Sequence, residues 1–359
     1  MQLATYAGWR LHGVFGGLIA GLLFVLPGAV VIFVLATLYV TFGDVPLVDT
    51  LFLGVQAVAV VIVVEALLKV SKRALIGRAH WVLAGLAFVG IFFFDVPFPL
   101  IVLAAGLYGA MALVAAHDGE PAPVVAVSMR RTSVTVLIGL AVWGLPVLML
   151  DALFGGSILT AIGLFFSKLA VVTFGGAYAV LAYMAQDVVV EFGWLTATEM
   201  MDGLGLAETT PGPLFLGTEF VGYLAVFCVG VVGVAVAGGV VTLWVTFVPC
   251  FLWIFAGAPY LDWISAQPRL NAALKAITAA VVGVILNLSL WFALHVVFGR
   301  VNEAQVGVAR LWLPELATVN WQALVLIGLS AFLLMRLHYA IGWALVISAG
   351  VAVALGAAA

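Results

Sequence analysis

The chain has 359 residues, of which 66% are hydrophobic and only 8% are charged, and its formal net charge is −3. Soluble domains carry about 25% charged residues, so this composition excludes a water-soluble globular protein. Together with a mean hydropathy of +1.31, it predicts an all-α integral membrane protein. Neither a cofactor nor a metal is expected, because the two cysteines lie in apolar segments and the five histidines share no ligand spacing.

Apolar segments that approach the roughly 20 residues of a membrane-spanning helix recur along the whole chain. We predict a polytopic helical bundle of about ten or eleven spans. The predicted spans are 14–40, 51–68, 82–94, 97–116, 132–150, 158–184, 212–233, 235–257, 274–298, 323–336 and 338–356. Short breaks at 95–99 and 336–339 separate the two most closely spaced pairs.

A polar segment at 117–131 divides the sequence into an N-terminal half, 1–116, and a C-terminal half, 132–359. The loop after the second span is rich in basic residues: Lys69, Lys72, Arg73 and Arg78. Arg130 and Arg131 lie in the polar segment, two spans later. Basic loops face the cytoplasm, so both segments are predicted to be cytoplasmic.

Weak internal repetition relates the two halves. Residues 5–9, which lead to Pro27, resemble residues 218–223, which lead to Pro249, and the intervals between the matched positions are closely similar. The similarity predicts an internal repeat in the bundle.

Two helix-breaking clusters lie in the second half of the chain. The first is Phe174-Gly175-Gly176, and the second is Glu-Thr-Thr-Pro-Gly-Pro at 208–213. In lipid, irregular backbone is tolerated only where it is buried in protein or lines a polar cavity, and paired breaks are typical of a transporter's substrate site. We predict that both segments are non-helical or end helices, and that they face one another across a polar crevice.

The sequence around these breaks closely resembles the signature of the chromate ion transporter family. The matching residues are Phe-Gly-Gly-Ala-Tyr at 174–178, Gly-Trp-Leu-Thr at 193–196 and Asp-Gly-Leu-Gly-Leu-Ala-Glu-Thr-Thr-Pro-Gly-Pro at 202–213. Segments at 22–29, 43–48 and 97–106 also look familial, so the resemblance covers essentially the whole chain. Long members of this family have two homologous halves of opposite membrane orientation, which implies an inverted repeat here.

The resemblance implies a secondary active transporter, not an enzyme, that moves chromate out of the cell with the proton gradient and so gives chromate resistance. It implies a multi-pass protein of the inner (plasma) membrane, whose partners are chromate or a similar oxyanion, protons and the lipid bilayer, with no nucleic acid. Whether the chain forms a homo-oligomer is left open. Two alternatives also stay open: a transporter of sulfate or another oxyanion, and a transport-incompetent fragment or subunit that needs a partner.

The chain departs from the family pattern in two places. In the family, each half opens with its own pair of clusters, but the first-half pair is absent from this sequence. We expect that the true start lies upstream of Met1; the alternative is a truncated chain that does not transport alone. The second departure is Glu219, where the family pattern implies a neutral side chain.

Chromate is a tetrahedral dianion, so its site needs positive potential and inward-pointing hydrogen-bond donors. Helix breaks provide both, because an exposed helix N-terminus offers unpaired N–H groups and about half a positive charge. Lys168 lies about ten residues into its predicted span, roughly 15 Å deep, where a charge is a functional candidate by default. The predicted substrate-binding residues are Lys168, Phe174, Gly175, Gly176, Tyr178, Thr209, Thr210, Pro211, Gly212 and Pro213.

Glu208 and Glu219 are the candidate proton-coupling residues, because burial favours the protonated form of a carboxylate. For Glu208 the alternative is a structural ion pair with Lys168. For the glycine pair the alternative is small-residue helix packing, and for Lys168 it is snorkelling to the membrane interface. Glu65 and Lys69, four residues apart, are predicted to form an ordinary ion pair along one helix.

Overall fold

The computed structural model describes residues 1–43, 45–112, 129–172, 177–210, 212–227, 232–307 and 309–358. Most of the predicted linker at 117–131 therefore lies outside the described residues. The helices are α1 (Gln2–Phe42), α2 (Pro46–Ala74), α3 (Arg78–Phe94), α4 (Phe98–Ala112), α5 (Met129–Phe154), α6 (Ile158–Val172), α7 (Ala177–Gln186), α8 (Ala197–Thr209), α9 (Gly217–Phe227), α10 (Val232–Gly257), α11 (Leu261–Ser265), α12 (Pro268–Val297), α13 (Trp321–Ala331) and α14 (Ile341–Ala358).

The prediction of an all-α membrane protein is confirmed. Within the described ranges, five helices are long and apolar enough to cross a membrane: Gln2–Phe42, Pro46–Ala74, Met129–Phe154, Gly233–Tyr260 and Pro268–Val297. The other predicted spans coincide with shorter apolar helices of 10–17 residues. The predicted break at 95–99 is also present, because α3 ends at Phe94 and Asp95 takes a left-handed conformation with φ 51°. Glu65 and Lys69 form the predicted ion pair at 2.6 Å.

The chain divides into two compact units, each assembled from three separate stretches of sequence. The first unit contains Met1–Val40, Val114–Thr173 and Thr210–Asn271, and the second contains Thr41–Leu113, Phe174–Thr209 and Ala272–Ala359. These units do not correspond to the sequence halves 1–116 and 132–359, because each unit takes residues from both halves. The division into halves stays a prediction.

Two helical hairpins form the core of the first unit. In α1 the helix reverses at His12 and Gly13, where Gly13 has φ 64°, and a Cβ on Gly8 would overlap the carbonyl oxygen of Gly16. The second hairpin is α9 with α10, where a Cβ on Gly238 would overlap the carbonyl oxygen of Gly222. Glycine is required at both contacts because the backbones themselves touch.

The two hairpins pack on one another as an inverted repeat. Phe33 of α1 lies against Gly239 of α10, and Phe255 of α10 lies against Gly17 of α1, with ring carbons 2.6 and 2.7 Å from the position a Cβ would take. The interval along the sequence from Phe33 to Phe255 equals that from Gly17 to Gly239, and it also equals the interval between the two prolines noted in the sequence. Because the early part of each helix touches the late part of the other, the two helices run antiparallel. The internal repeat predicted from sequence is therefore confirmed.

The second unit also contains matching helices from the two halves of the sequence. Its two long helices, α2 and α12, begin at Pro46 and Pro268, which are separated by that same repeat interval. Helices α13 and α14 pack against α2, whereas α3 and α4 pack against α12 through small residues such as Ala84, Ala105 and Ala280. Each long helix is therefore covered by the short helices of the other half.

A two-stranded antiparallel sheet, β1 (Val301–Val306) and β2 (Ala309–Pro314), follows α12. Arg310 on β2 binds Asp95 at 2.8 Å and Glu303 at 2.7 Å, and Gln186 of α7 donates a hydrogen bond to Asp95. The sequence pattern did not predict this hairpin. Asp95, which follows α3, therefore binds both this hairpin and α7 within the second unit.

Gly283→Ala is expected to destabilise the protein strongly. In a helix interior, alanine is normally more stable than glycine by up to about 1 kcal/mol. At Gly283, however, a Cβ would overlap the carbonyl oxygen of Ala84 and lie 2.8 Å from the backbone nitrogen of Phe88. Backbone atoms of α3 cannot rotate away, so α12 must separate from α3. We expect a loss of about 1–3 kcal/mol, measured as a lower unfolding temperature of the purified protein.

Gly328→Ala on α13 is the matched control, because no atom lies within 4 Å of its added Cβ. This variant should be at least as stable as the wild type. Equal unfolding temperatures for the two alanine variants would show that the α3–α12 contact is looser than described.

Candidate functional site

The second helix-breaking cluster ends α8, as predicted. The helix begins with a capping box in which Glu199 Oε2 accepts a hydrogen bond from the Thr196 N–H at 2.7 Å and Thr196 Oγ1 accepts one from the Glu199 N–H at 3.2 Å. It ends at Thr209, and a short 3-10 turn, Leu214–Leu216, leads into α9. Thr210 is buried, whereas Pro211 lies outside the described residues.

Gly212 is the residue that allows this turn. Its φ of 142° is a conformation that L side chains rarely adopt, and an added Cβ would also lie 3.1 Å from the Leu216 side chain. The same Cβ would lie 3.7 Å from the Phe24 carbonyl oxygen and 3.8 Å from the Gly28 Cα. The loop therefore rests on α1 beside Pro27, the proline of the first repeat.

The first cluster separates α6, which ends at Val172, from α7, which begins at Ala177. Phe174, Gly175 and Gly176 lie outside the described residues, so their conformation and the predicted crevice stay predictions.

Tyr178 and Glu208 connect α7 to α8 in the second unit. The Tyr178 hydroxyl donates a hydrogen bond of 2.8 Å to Glu208 Oε1, and both residues are partly buried. Tyr178 also packs against the cluster of apolar side chains that joins α2 to α14. The sequence predicts separate roles for these two residues, Tyr178 in substrate binding and Glu208 in proton coupling, and the structure brings them together.

Lys168 is the eleventh residue of α6 and lies one turn before the end of that helix. Its side chain is exposed, while the neighbouring Phe166 and Leu169 are buried. Its predicted contact with the substrate stays a prediction. Of the other predicted substrate-binding residues, the Thr209 side chain is not among the described parts of the chain, and Pro213 is partly buried.

Glu219 is fully buried in the first unit, on α9. Its relative exposure is 0%, and neither carboxylate oxygen has a hydrogen-bond partner among the described residues. Gly239 of α10 lies beside it, with the Glu219 Cγ 3.6 Å from the position a Cβ there would take. A buried charge without a partner is very costly, and the proton-coupling role of Glu219 stays a prediction.

The repeat gives Glu219 a counterpart. Gly8 and Gly222 make the equivalent backbone contacts in their hairpins, so the residues three positions earlier, Thr5 and Glu219, correspond to each other. Thr5 is also 0% exposed, and its hydroxyl likewise lacks a partner within the described part of the chain. The acid is therefore present in one repeat and replaced by a neutral hydroxyl in the other.

One buried polar pair was not predicted from the sequence. Gln56 Nε2 of α2 donates a hydrogen bond of 2.7 Å to Asp202 Oδ1 of α8, and the two residues are 7% and 3% exposed. The available signal was the isolated glutamine in an apolar run at 51–68. In the residues that the structure describes, no group of three or more His, Cys, Asp or Glu side chains could hold a metal ion.

Comparisons with known proteins agree with the signature residues. The chromate transporter family model matches residues 1–110 and 160–355. The chain is 32% identical over 294 residues to a chromate transport protein of Pseudomonas aeruginosa. The aligned region covers 79% of this chain and 65% of that protein. It is 29% identical over 289 residues to a chromate transport protein of Cupriavidus metallidurans, with coverages of 79% and 66%.

A probable chromate transport protein of Synechococcus elongatus is 27% identical over 287 residues, which cover 79% of this chain and 68% of that protein. No solved structure matches the chain. The chain thus spans about two thirds of the length of these relatives, with 65% and 66% for the first two. The family model covers most of the sequence, including both halves and the signature segments, and the chain belongs to the chromate transporter family.

Proposed function

We propose that this protein moves chromate, or a closely related tetrahedral oxyanion, out of the cell across the inner (plasma) membrane and uses the proton gradient to do so. Family membership and the names of the relatives support the substrate. The apolar helices support a multi-pass arrangement. The basic loop of Lys69, Lys72, Arg73 and Arg78 supports a cytoplasmic position for the α2–α3 connection.

The hydrogen bond between Tyr178 and Glu208 is the observation that carries the proposal. It joins the helix that follows one signature break to the helix that precedes the other. A phenol hydroxyl that donates to a carboxylate can also donate to an oxyanion oxygen, but an ionised Glu208 would repel a dianion. Protonation of Glu208 removes that competing charge, so occupancy by the oxyanion and by the proton are linked at this position.

Linkage of this kind couples two fluxes without a nucleotide. Glu208 takes up or releases its proton before the oxyanion leaves and again afterwards. The side of the membrane on which each exchange occurs determines whether chromate and protons move in opposite directions. Glu219 is a second proton carrier in this proposal, because it is a buried carboxylate with no described partner. Lys168 and the backbone N–H groups at the helix breaks supply the positive potential for the dianion.

The test is uptake of labelled chromate into inverted membrane vesicles that contain the full chain. With an acidic lumen, uptake should exceed that of vesicles without the protein, and excess sulfate should compete if the site accepts tetrahedral oxyanions in general. Tyr178→Phe should lower the initial rate about 10- to 100-fold, because a hydrogen bond to a charged group contributes about 1.5–3 kcal/mol.

Tyr108→Phe is the control, since Tyr108 is exposed on α4 and should transport at the wild-type rate. Uptake no greater than in vesicles without the protein would contradict the proposed function. Wild-type uptake by Tyr178→Phe would remove the Tyr178–Glu208 pair from the site and leave the function standing.

A further inference from the structure

We propose that Trp143 of α5 and Trp244 of α10 form a reciprocal latch at the proline breaks of the two helices, which keeps α5 on α10 when α10 bends. Both helices belong to the first unit. Among the described residues of α5, only Val147 is buried. In lipid, the hydrophobic effect does not hold two apolar helices together, so specific hydrogen bonds carry a large share of this attachment.

The first half of the latch repairs the break in α5. Pro146 has no N–H, so the Val142 carbonyl, four residues earlier, loses its donor within the helix. The Trp244 indole supplies a donor from α10, with Nε1 3.0 Å from the Val142 oxygen. In hydrocarbon a backbone carbonyl without a donor is costly, and a neighbouring helix is one of the few sources of a replacement.

The second half of the latch repairs the break in α10 in the same way. Pro249 removes the donor for the Val245 carbonyl, and the Trp143 indole of α5 donates to that oxygen at 3.0 Å. Each helix therefore supplies the donor that proline removes from the other. Because each break is repaired only while the helices are in contact, the two bonds favour the same paired arrangement.

A membrane-interface belt is the rival explanation for these tryptophans, since indoles are enriched at both membrane surfaces. Trp143 is the fifteenth residue of the 26-residue helix α5, and Trp244 is the thirteenth of the 26-residue helix α10. Each therefore lies at least about 16 Å from either end of its helix. At that depth water does not satisfy the indole N–H, and a buried indole needs an acceptor within the protein.

The latch lies beside a turn at which α10 can bend, because sharp bends in helices occur at proline. Helix α5 is bonded on both sides of this turn. Before Pro249 the bond is to the Val245 carbonyl. Beyond it, the hydroxyls of Thr132 on α5 and Tyr260, directly after α10, share a hydrogen bond of 2.9 Å. A bend of α10 at this turn therefore has to bend α5 as well, and the proline break of α5 lies at the same level of the pair.

Thr246 supports a second bent state of α10. It lies three residues before Pro249 and is 5% exposed, and its hydroxyl has no partner within the described ranges. Threonine in a helix can bond the carbonyl four residues earlier, as Thr242 does with Gly238 at 2.9 Å. A buried donor without an acceptor is costly, so a bend that brings an acceptor to Thr246 is favoured by this residue.

The first test is the unfolding temperature of the purified full chain in nanodiscs, without chromate. Trp244→Phe should lower it by about 2 °C or more, because the Val142 carbonyl loses its donor. Pro146→Ala returns the backbone N–H, so Trp244→Phe should cause no further loss in that background. Trp143→Phe should be rescued in the same way by Pro249→Ala, and not by Pro146→Ala.

Trp253→Phe is the matched control, because Trp253 is an exposed tryptophan of α10 and should unfold as the wild type does. Equal losses from Trp244→Phe in the wild-type and Pro146→Ala backgrounds would overturn the latch.

The second measurement is cross-linking, which does not depend on the proline variants. A Cβ on Gly139 of α5 would lie 3.3 Å from the Leu252 Cβ of α10, close to the separation of about 3.8 Å in a disulfide. Gly139→Cys with Leu252→Cys, in a chain whose Cys228 and Cys250 are replaced by alanine, should therefore cross-link readily under oxidation. Phenylalanine at both latch positions should slow the reaction at least tenfold. Slow cross-linking with the latch intact, or an unchanged rate without it, would overturn the proposal.

The same cross-link tests the movement of the pair, and this part rests on the proposed function. Because α5 stays on α10, chromate counterflow by the oxidised protein should equal that of the reduced protein. Counterflow that is lost on oxidation and regained on reduction would show that the helices separate during transport, and would overturn the proposal. Absence of counterflow in both forms would contradict the proposed function alone, because the unfolding and cross-linking results do not use chromate.

Discussion

Glu219→Gln is expected to abolish chromate transport driven by a pH gradient while it leaves chromate exchange intact. Glutamine has nearly the same shape as glutamate but cannot take up and release a proton. Glu219 is fully buried, and its oxygens have no partner within the described residues, so the substitution breaks no described hydrogen bond. We expect gradient-driven uptake into proteoliposomes to fall at least tenfold.

The measurement that isolates coupling is counterflow, in which labelled chromate outside exchanges with unlabelled chromate inside and no pH gradient is imposed. Counterflow by Glu219→Gln should stay near the wild-type rate. The matched control is Glu315→Gln, which neutralises an exposed glutamate and should change neither rate. Undiminished gradient-driven uptake by Glu219→Gln would remove this residue from proton coupling, and equal loss of both rates would assign it a structural role.

Lys168→Gln should remove most chromate uptake while leaving the amount of protein in the membrane unchanged, and Lys168→Arg should retain more activity. In the proposed function the Lys168 cation offsets the charge of the dianion, so its loss weakens binding. Insertion is not expected to suffer, because a charge within a membrane-spanning segment is costly to insert. Initial rates of labelled chromate uptake, normalised to protein level, are the measurement.

Lys275→Gln is the control, because Lys275 is an exposed lysine on α12 and should transport normally. A wild-type rate for Lys168→Gln would assign Lys168 to a structural role or to the membrane interface. The oxyanion would then have to be bound by backbone N–H groups and hydroxyls.

The amino-acid sequence by itself determined the class of the protein, the positions of its apolar helices and its family. The class and the helix positions follow from local composition, because about 20 apolar residues suffice to predict a span, whereas the family follows from the resemblance of the segments 174–178, 193–196 and 202–213 to its signature. The end of α8 before Pro211-Gly212-Pro213 was predictable for the same reason, since proline cannot continue a helix. The repeat interval between Pro27 and Pro249 was also present in the sequence, although only the contacts of Gly17 and Gly239 show that the repeat is inverted.

Only the tertiary structure decided which polar residues meet. Tyr178 and Glu208 are 30 residues apart in sequence, and Gln56 and Asp202 are 146 apart. Most of these helices are apolar on every face, so their pattern does not show which face packs against which neighbour. That choice depends on where small residues allow two backbones to touch, as at Gly283 and Ala84. Such a contact joins distant parts of the chain that no local pattern relates.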